Sequence, residues 1–159
     1  MSFEKLSADE IRHHKGISFT GITTVFYCHD GKGNLFLAKR SKNARDEHGR
    51  WDVGGGGLKH GQSVEESLKR ELLEEYNVVP KRIDFIRYYD AFRKSSEGLP
   101  THWLALNFAC QVNPADIKIN EPDMFDNFGW FPVDNLPQPL HSQLAMFMDK
   151  YGAELKKYM

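Results

Sequence analysis

Residues 55–78 read Gly55-Gly56-Gly57-Leu58-Lys59-His60-Gly61-Gln62-Ser63-Val64-Glu65-Glu66-Ser67-Leu68-Lys69-Arg70-Glu71-Leu72-Leu73-Glu74-Glu75-Tyr76-Asn77-Val78. This stretch predicts a glycine-rich turn running into a strongly acidic helix. Ser63 has the chemistry of an N-cap, and Glu66 three residues later completes a capping box. On a helix starting there, Glu71, Glu74 and Glu75 stand at i, i+3 and i+4 and share one face. Neighbouring anions of this kind cost an isolated helix roughly a few tenths of a kcal/mol per pair. The arrangement gains from a cation placed on it. Oxygen donors without a nearby cysteine or histidine pair suit Mg²⁺ or Mn²⁺ better than Zn²⁺. Leu68, Leu72 and Tyr76 form the adjoining stripe, which predicts burial against a sheet while the carboxylates face a cleft. Asn77 tolerates the left-handed conformation that ends a helix, and Pro80 prevents resumption.

The segment resembles the Nudix box, whose pattern is Gly-x5-Glu-x7-Arg-Glu-U-x-Glu-Glu-x-Gly-U, with U a bulky apolar residue. Gly56, Arg70, Glu71, Leu72, Glu74, Glu75 and Val78 fall in register; Gln62 and Asn77 replace the pattern's first Glu and second Gly. Gly129-Trp130-Phe131-Pro132 and Asp134-Asn135-Leu136-Pro137 are similar to the family's strand and turn before its last helix, so the resemblance runs from about Phe19 to the C-terminus. It implies an α/β/α sandwich with a mixed sheet, the box forming a loop–helix–loop beside it.

In order along the chain, Ser7 to Glu10 can cap a short N-terminal helix, with residues 1–17 an extension to one domain spanning 1–159. Phe19–Cys28 and Leu35–Arg40 read as the strands of a hairpin around the turn His29–Asn34. Ser41–Arg50 is a charged loop, and Trp51–Val53 a brief strand. Ile83–Phe92 reads as a strand, Lys94–Pro100 as a turn, and His102–Val112 as a strand with Leu104, Leu106, Phe108, Cys110 and Val112 on one buried face. Asn113–Asp126 is a loop with two prolines, and Asn127–Pro132 a short strand. Leu144, Met148, Tyr151 and Leu155 have the spacing of a C-terminal amphipathic helix.

The 159 residues suit one domain with a sizeable core, and 40% hydrophobic content places the chain among globular proteins. A net charge of −1 without a basic block argues against a nucleic acid polymer as partner. No apolar run approaches the ~20 residues of a membrane span. Met1–Gly16 is too polar for a signal peptide, which predicts a cytoplasmic protein. Cys28 and Cys110 lie in apolar runs and read as buried free thiols.

The resemblance implies a metal-dependent pyrophosphohydrolase acting on a small nucleotide-type diphosphate. The metal ligands it implies are Glu71, Glu74 and Glu75, with the Gly55 carbonyl and a loop acid. Glu121 resembles that acid best, with Asp123 and Asp126 as rivals. One of the glutamates acts on the attacking water; the sequence leaves open which. Arg70 buttresses the glutamates, or pairs with Glu66 at i, i+4. Arg40 or Lys39 stands near the glycines as a phosphate contact. His102 is a candidate base or a hydrogen-bonded structural residue. Phe92, Trp103 and Phe128 stack a nucleobase or pack the core. A homodimer is also among the partners the resemblance allows.

Gln62 can hydrogen-bond Arg70 but lacks the usual charge. A Nudix-fold binding module that has lost turnover is therefore the second reading, against which the intact acidic triad argues. An isomerase on the same fold is disfavoured, because its Cys and His positions are absent. A P-loop is excluded by Gln62 in place of its lysine, and there is no Gly-x-Ser-x-Gly or Cys-x2-Cys motif.

Overall fold

The computed structural model describes residues 5–159. The elements in order are α1 (Ala8–His14), β1 (Gly21–His29), β2 (Asn34–Arg40), β3 (Trp51–Asp52), β4 (Gly54–Gly57), α2 (Val64–Tyr76), β5 (Arg82–Lys94), β6 (Pro100–Gln111), β7 (Phe125–Pro132) and α3 (Ser142–Lys156). Two short 3₁₀ turns, Pro114–Asp116 and Pro122–Met124, interrupt the loop before β7. The strands form one mixed sheet in the order β3-β2-β1-β6-β5, with β4 pairing β1 and β7 pairing β2.

Alternation along the central strands builds two cores. Phe26, Cys28, Phe36, Phe108 and Cys110 point to one face, where Leu68, Leu72 and Tyr76 of α2 cover them. Tyr27, Leu35, Leu37 and Ala109 point to the other, under Leu144, Phe147 and Leu155 of α3. The result is the expected α/β/α sandwich. Each fully buried Leu or Phe contributes about 1.5–3 kcal/mol of transfer free energy, so both helices are held mainly by their apolar stripes. In the second core, Phe147 stacks on Tyr27 at 4.6 Å between ring centroids.

Both predicted caps of α2 form. Ser63 accepts from the Glu66 backbone N–H at 3.1 Å, Glu66 accepts from that of Ser63 at 2.8 Å, and Asn77 closes the helix at φ 51. The N-terminal helix uses the same box at Ser7 and Glu10. Of the predicted extension, residues 1–4 lie outside the described residues.

Two local readings are corrected. The glycines form a strand rather than a turn: Gly54, Gly55, Gly56 and Gly57 pair antiparallel with Phe26, Val25, Thr24 and Thr23. None has a positive φ. They provide room, since a Cβ on Gly54 would lie 2.0 Å from the Phe26 ring and one on Gly56 2.0 Å from the Glu71 carboxyl carbon. Strand β6 is buried on both faces rather than one, with Ala105, Asn107 and Ala109 behind Phe108 and Cys110. It runs between β1 and β5, and its C-terminal half lies between the core under α2 and the core under α3. Strand β7 also starts earlier than expected, at Phe125.

Candidate active site

Helix α2 places Arg70 at the centre of a hydrogen-bonded group. Its Nη1 donates to Glu71 at 2.7 Å and to Glu74 at 3.1 Å, and its Nε donates to Gln62 at 3.1 Å. Arg70 therefore takes the buttressing arrangement, while Glu66 is engaged by Ser63. The neutral Gln62 occupies the bond that a glutamate at this position would make. Glu71 is nearly buried, with its side chain 12% exposed, whereas that of Glu74 is 55% exposed.

Glu75 points toward the glycine strand. A Cβ on Gly54 would stand 2.9 Å from its Oε2, and the Gly55 backbone N–H hydrogen-bonds its carboxylate. Burial, followed by the charge of Glu71, pushes the Glu75 carboxyl up to about 8; Asp52 and Glu121 add smaller repulsions. Burial also raises Glu71, against the pull of Arg70. Among the described residues, no three His, Cys, Asp or Glu side chains converge closely enough to form a metal cluster. The donor chemistry nevertheless fits a hard cation: all side-chain donors are carboxylate oxygens, and Glu75 has no cationic partner among the described residues. Glu121, exposed just before the Pro122–Met124 turn, is the loop acid whose charge reaches Glu75.

The remaining expected residues lie elsewhere. Arg40 is turned inward, paired to Asp46 at 2.8 Å and Asp52 at 3.6 Å. His102 is hydrogen-bonded on both ring nitrogens, to Asp90 at 2.7 Å and Thr20 at 3.1 Å, the structural alternative for this residue. Phe92 stacks on that imidazole at 4.5 Å and is 72% exposed. Phe128 is exposed beside Phe36, and Trp103 packs into spaces left by Gly16 and Gly21.

A second charged group escaped the sequence reading. Glu47, at φ 46, accepts from the Ser142 N–H and hydroxyl, each at 2.8 Å, and from Arg93 at 2.8 Å. His141 Nε2 stands 2.7 Å from the same carboxylate, with Asp46, Asp52 and Arg40 around it. Burial holds the His141 imidazole down to about 4 and lifts the Asp52 carboxyl to about 7, against the pull of Arg40 on Asp52. These partners are far apart in sequence, and no local pattern joins them. The only signal was the mixture of charges in Ser41–Arg50.

The sequence matches the NUDIX domain over residues 20–151. The chain belongs to the Nudix family. Among its relatives are a nucleoside triphosphatase NudI from Escherichia fergusonii and an RNA pyrophosphohydrolase from Wolbachia sp. subsp. Brugia malayi. The first is 28% identical over 67% of this chain and 78% of its own length. The second is 26% identical over 66% and 70%. The fold is also similar to a MutT NUDIX hydrolase from Burkholderia pseudomallei, with a TM-score of 0.70, 25% identity, and coverage of 84% of this chain and 98% of that one. Within this Nudix domain, α2 is the box helix, and the Arg70 group lies at its centre. No helix among the described residues is long and apolar enough to cross a membrane.

Proposed function

We propose that this Nudix protein is a divalent-metal-dependent pyrophosphohydrolase of small nucleotides in which a nucleoside diphosphate is linked to another group. One observation carries the reading: Arg70 organises Glu71 and Glu74 while Glu75 stands close by with no cationic partner among the described residues. Glu71, Glu74, Glu75, the Gly55 carbonyl and Glu121 are the groups that would hold Mg²⁺ or Mn²⁺. Bound there, such an ion would supply positive charge to offset that of the diphosphate and would make a nearby water more acidic. Arg70 keeps the carboxylates aligned, an orienting role that ligand sites depend on. One glutamate receives the proton of the attacking water. Water oxygen bonds to phosphorus as the bridging P–O bond breaks, giving a nucleoside monophosphate and the phosphorylated remainder or pyrophosphate. Nucleoside triphosphates, ADP-ribose and nucleotide sugars are all substrates of this form.

The test is release of nucleoside monophosphate from a panel of these compounds, with and without Mg²⁺ or Mn²⁺. Cleavage of one class only when metal is present is the expected result. Glu74→Gln should lower that turnover by orders of magnitude with the fold intact by circular dichroism. Unchanged kinetics in a folded variant would remove α2 from the mechanism. The second reading, a nucleotide-binding module without turnover, rests on Gln62; tight binding of one panel member with no product would favour it.

A further inference from the structure

The segment that precedes the Nudix domain of residues 20–151 reaches the glycine strand. Lys15 caps the end of α1, and Gly16, at φ 80, turns the chain against the Trp103 ring, leaving no room for a Cβ. Hydrogen bonds fix the segment there. Gly16 N–H donates to the Phe19 carbonyl and His102 N–H to the Gly16 carbonyl, each at 2.8 Å. The Lys15 ammonium then lies 5.9 Å from the centre of the Trp103 ring and donates to the Leu58 carbonyl. It stands 3.2 Å from the place a Cβ of Gly57 would take.

The pairing of β4 shows what this position offers. Leu58 N–H donates to the Ile22 carbonyl at 2.9 Å, so alternation turns the N–H and C=O of Gly55 and Gly57 away from β1. That outer edge is where Glu75 meets Gly55 and Arg70 meets Gly57. Gly57 pairs with Thr23 and Gly55 with Val25, which places the Lys15 side of Gly57 on the face opposite α2. The ammonium is therefore roughly 7 Å along the strand from Gly55, whose carbonyl is one of the proposed metal ligands. An ammonium has three donors, and Leu58 takes one. Burial, followed by the charge of Arg70, holds Lys15 below the ordinary lysine value, and no carboxylate pulls it back. An anion beside it offsets both effects.

Resting on the pyrophosphohydrolase reading, we propose that Lys15 is a substrate-binding residue whose ammonium donates to a non-bridging oxygen of a substrate phosphate. The segment before the Nudix domain thereby completes the site, filling with a charge the space that Gly57 leaves without a side chain. A lysine ammonium is a point charge without the planar fork of arginine. It recognises the phosphate rather than the group attached to it, so its contribution is common to nucleoside triphosphates, ADP-ribose and nucleotide sugars.

Lys15→Met tests this, since methionine keeps an apolar stem over Trp103 and removes the charge; circular dichroism should be unchanged. Calorimetric titration with inorganic pyrophosphate in Mg²⁺ should show binding about tenfold weaker than in the parent, and Lys15→Arg should restore it to within about threefold. In turnover, KM should rise by the same factor while kcat holds, because the contact is made alike to bound substrate and transition state. A residue that only clamps the Leu58 carbonyl would instead lower kcat and leave pyrophosphate binding intact. That result, unchanged binding and KM in Lys15→Met, or no pyrophosphate binding by the parent would overturn the proposal. A parent that binds pyrophosphate through Lys15 but turns over no panel member counts against the hydrolase reading alone.

Discussion

At Gly56, what matters is the absence of one atom. A Cβ there would lie 2.0 Å from the Glu71 carboxyl carbon, so an alanine displaces a carboxylate of the Arg70 group. Displacements near 1 Å at a reacting centre cost about a hundredfold in rate. Gly56→Ala should therefore lower kcat by about that factor, measured on the substrate the panel identifies, with little change in the circular dichroism spectrum. Gln62 poses the opposite case. Its Oε1 already accepts from Arg70 Nε at 3.1 Å, so Gln62→Glu keeps the geometry and adds charge. Charge-assisted hydrogen bonds exceed neutral ones by about 1 kcal/mol, roughly fivefold in rate if expressed in the transition state. Turnover at limiting Mg²⁺ should rise by that order. A fall would show that this protein is adapted to the neutral amide.

Helix α2 owes its position to two separable devices. Its capping box satisfies the first-turn N–H groups, and its apolar stripe anchors it on the sheet. Removing the cap with Ser63→Ala should cost about 1 kcal/mol, whereas Leu72→Ala should cost about 2–5 kcal/mol through the cavity it leaves. Urea denaturation of both variants measures the difference. Equal losses would mean that the stripe does not dominate. Both devices were legible in the sequence, because capping and helical spacing are local. The same locality misassigned β4, since a run of glycines reads as a turn until a partner strand is known. It also concealed the second buried face of β6, where small residues such as Ala105 and Ala109 carry little hydrophobic signal.

For the molecule as a whole, the cluster of Arg40, Asp46, Glu47, Asp52, Arg93 and His141 ties the Ser41–Arg50 loop to β5 and α3. Burial raises the Asp52 carboxyl to about 7, so folding favours its protonated form. A carboxyl raised in the folded state contributes stability that is complete below its unfolded pKa and is lost as pH rises through the folded one. Asp52→Asn lacks that loss. The melting temperature of the variant relative to the parent should therefore climb between about pH 4 and about pH 7 and then level off. Thermal melts across that interval check it; a constant difference would mean that Asp52 titrates normally.

By itself the sequence determined the box helix, both of its caps, and the alternating strands of an α/β/α sandwich. Each of these depends on residues a few positions apart. It also marked Arg70 as a partner of Glu71 and Glu74, and Gln62 as a neutral acceptor for it. Only the tertiary structure decided that the glycines are a strand cleared for Glu71 and Glu75, and that Arg40 faces inward to Asp46 and Asp52. It alone joined Glu47 to Ser142 and His141, and brought Lys15 beside Gly57. Those outcomes depend on which strands become neighbours, and strand pairing brings together side chains that no local periodicity connects.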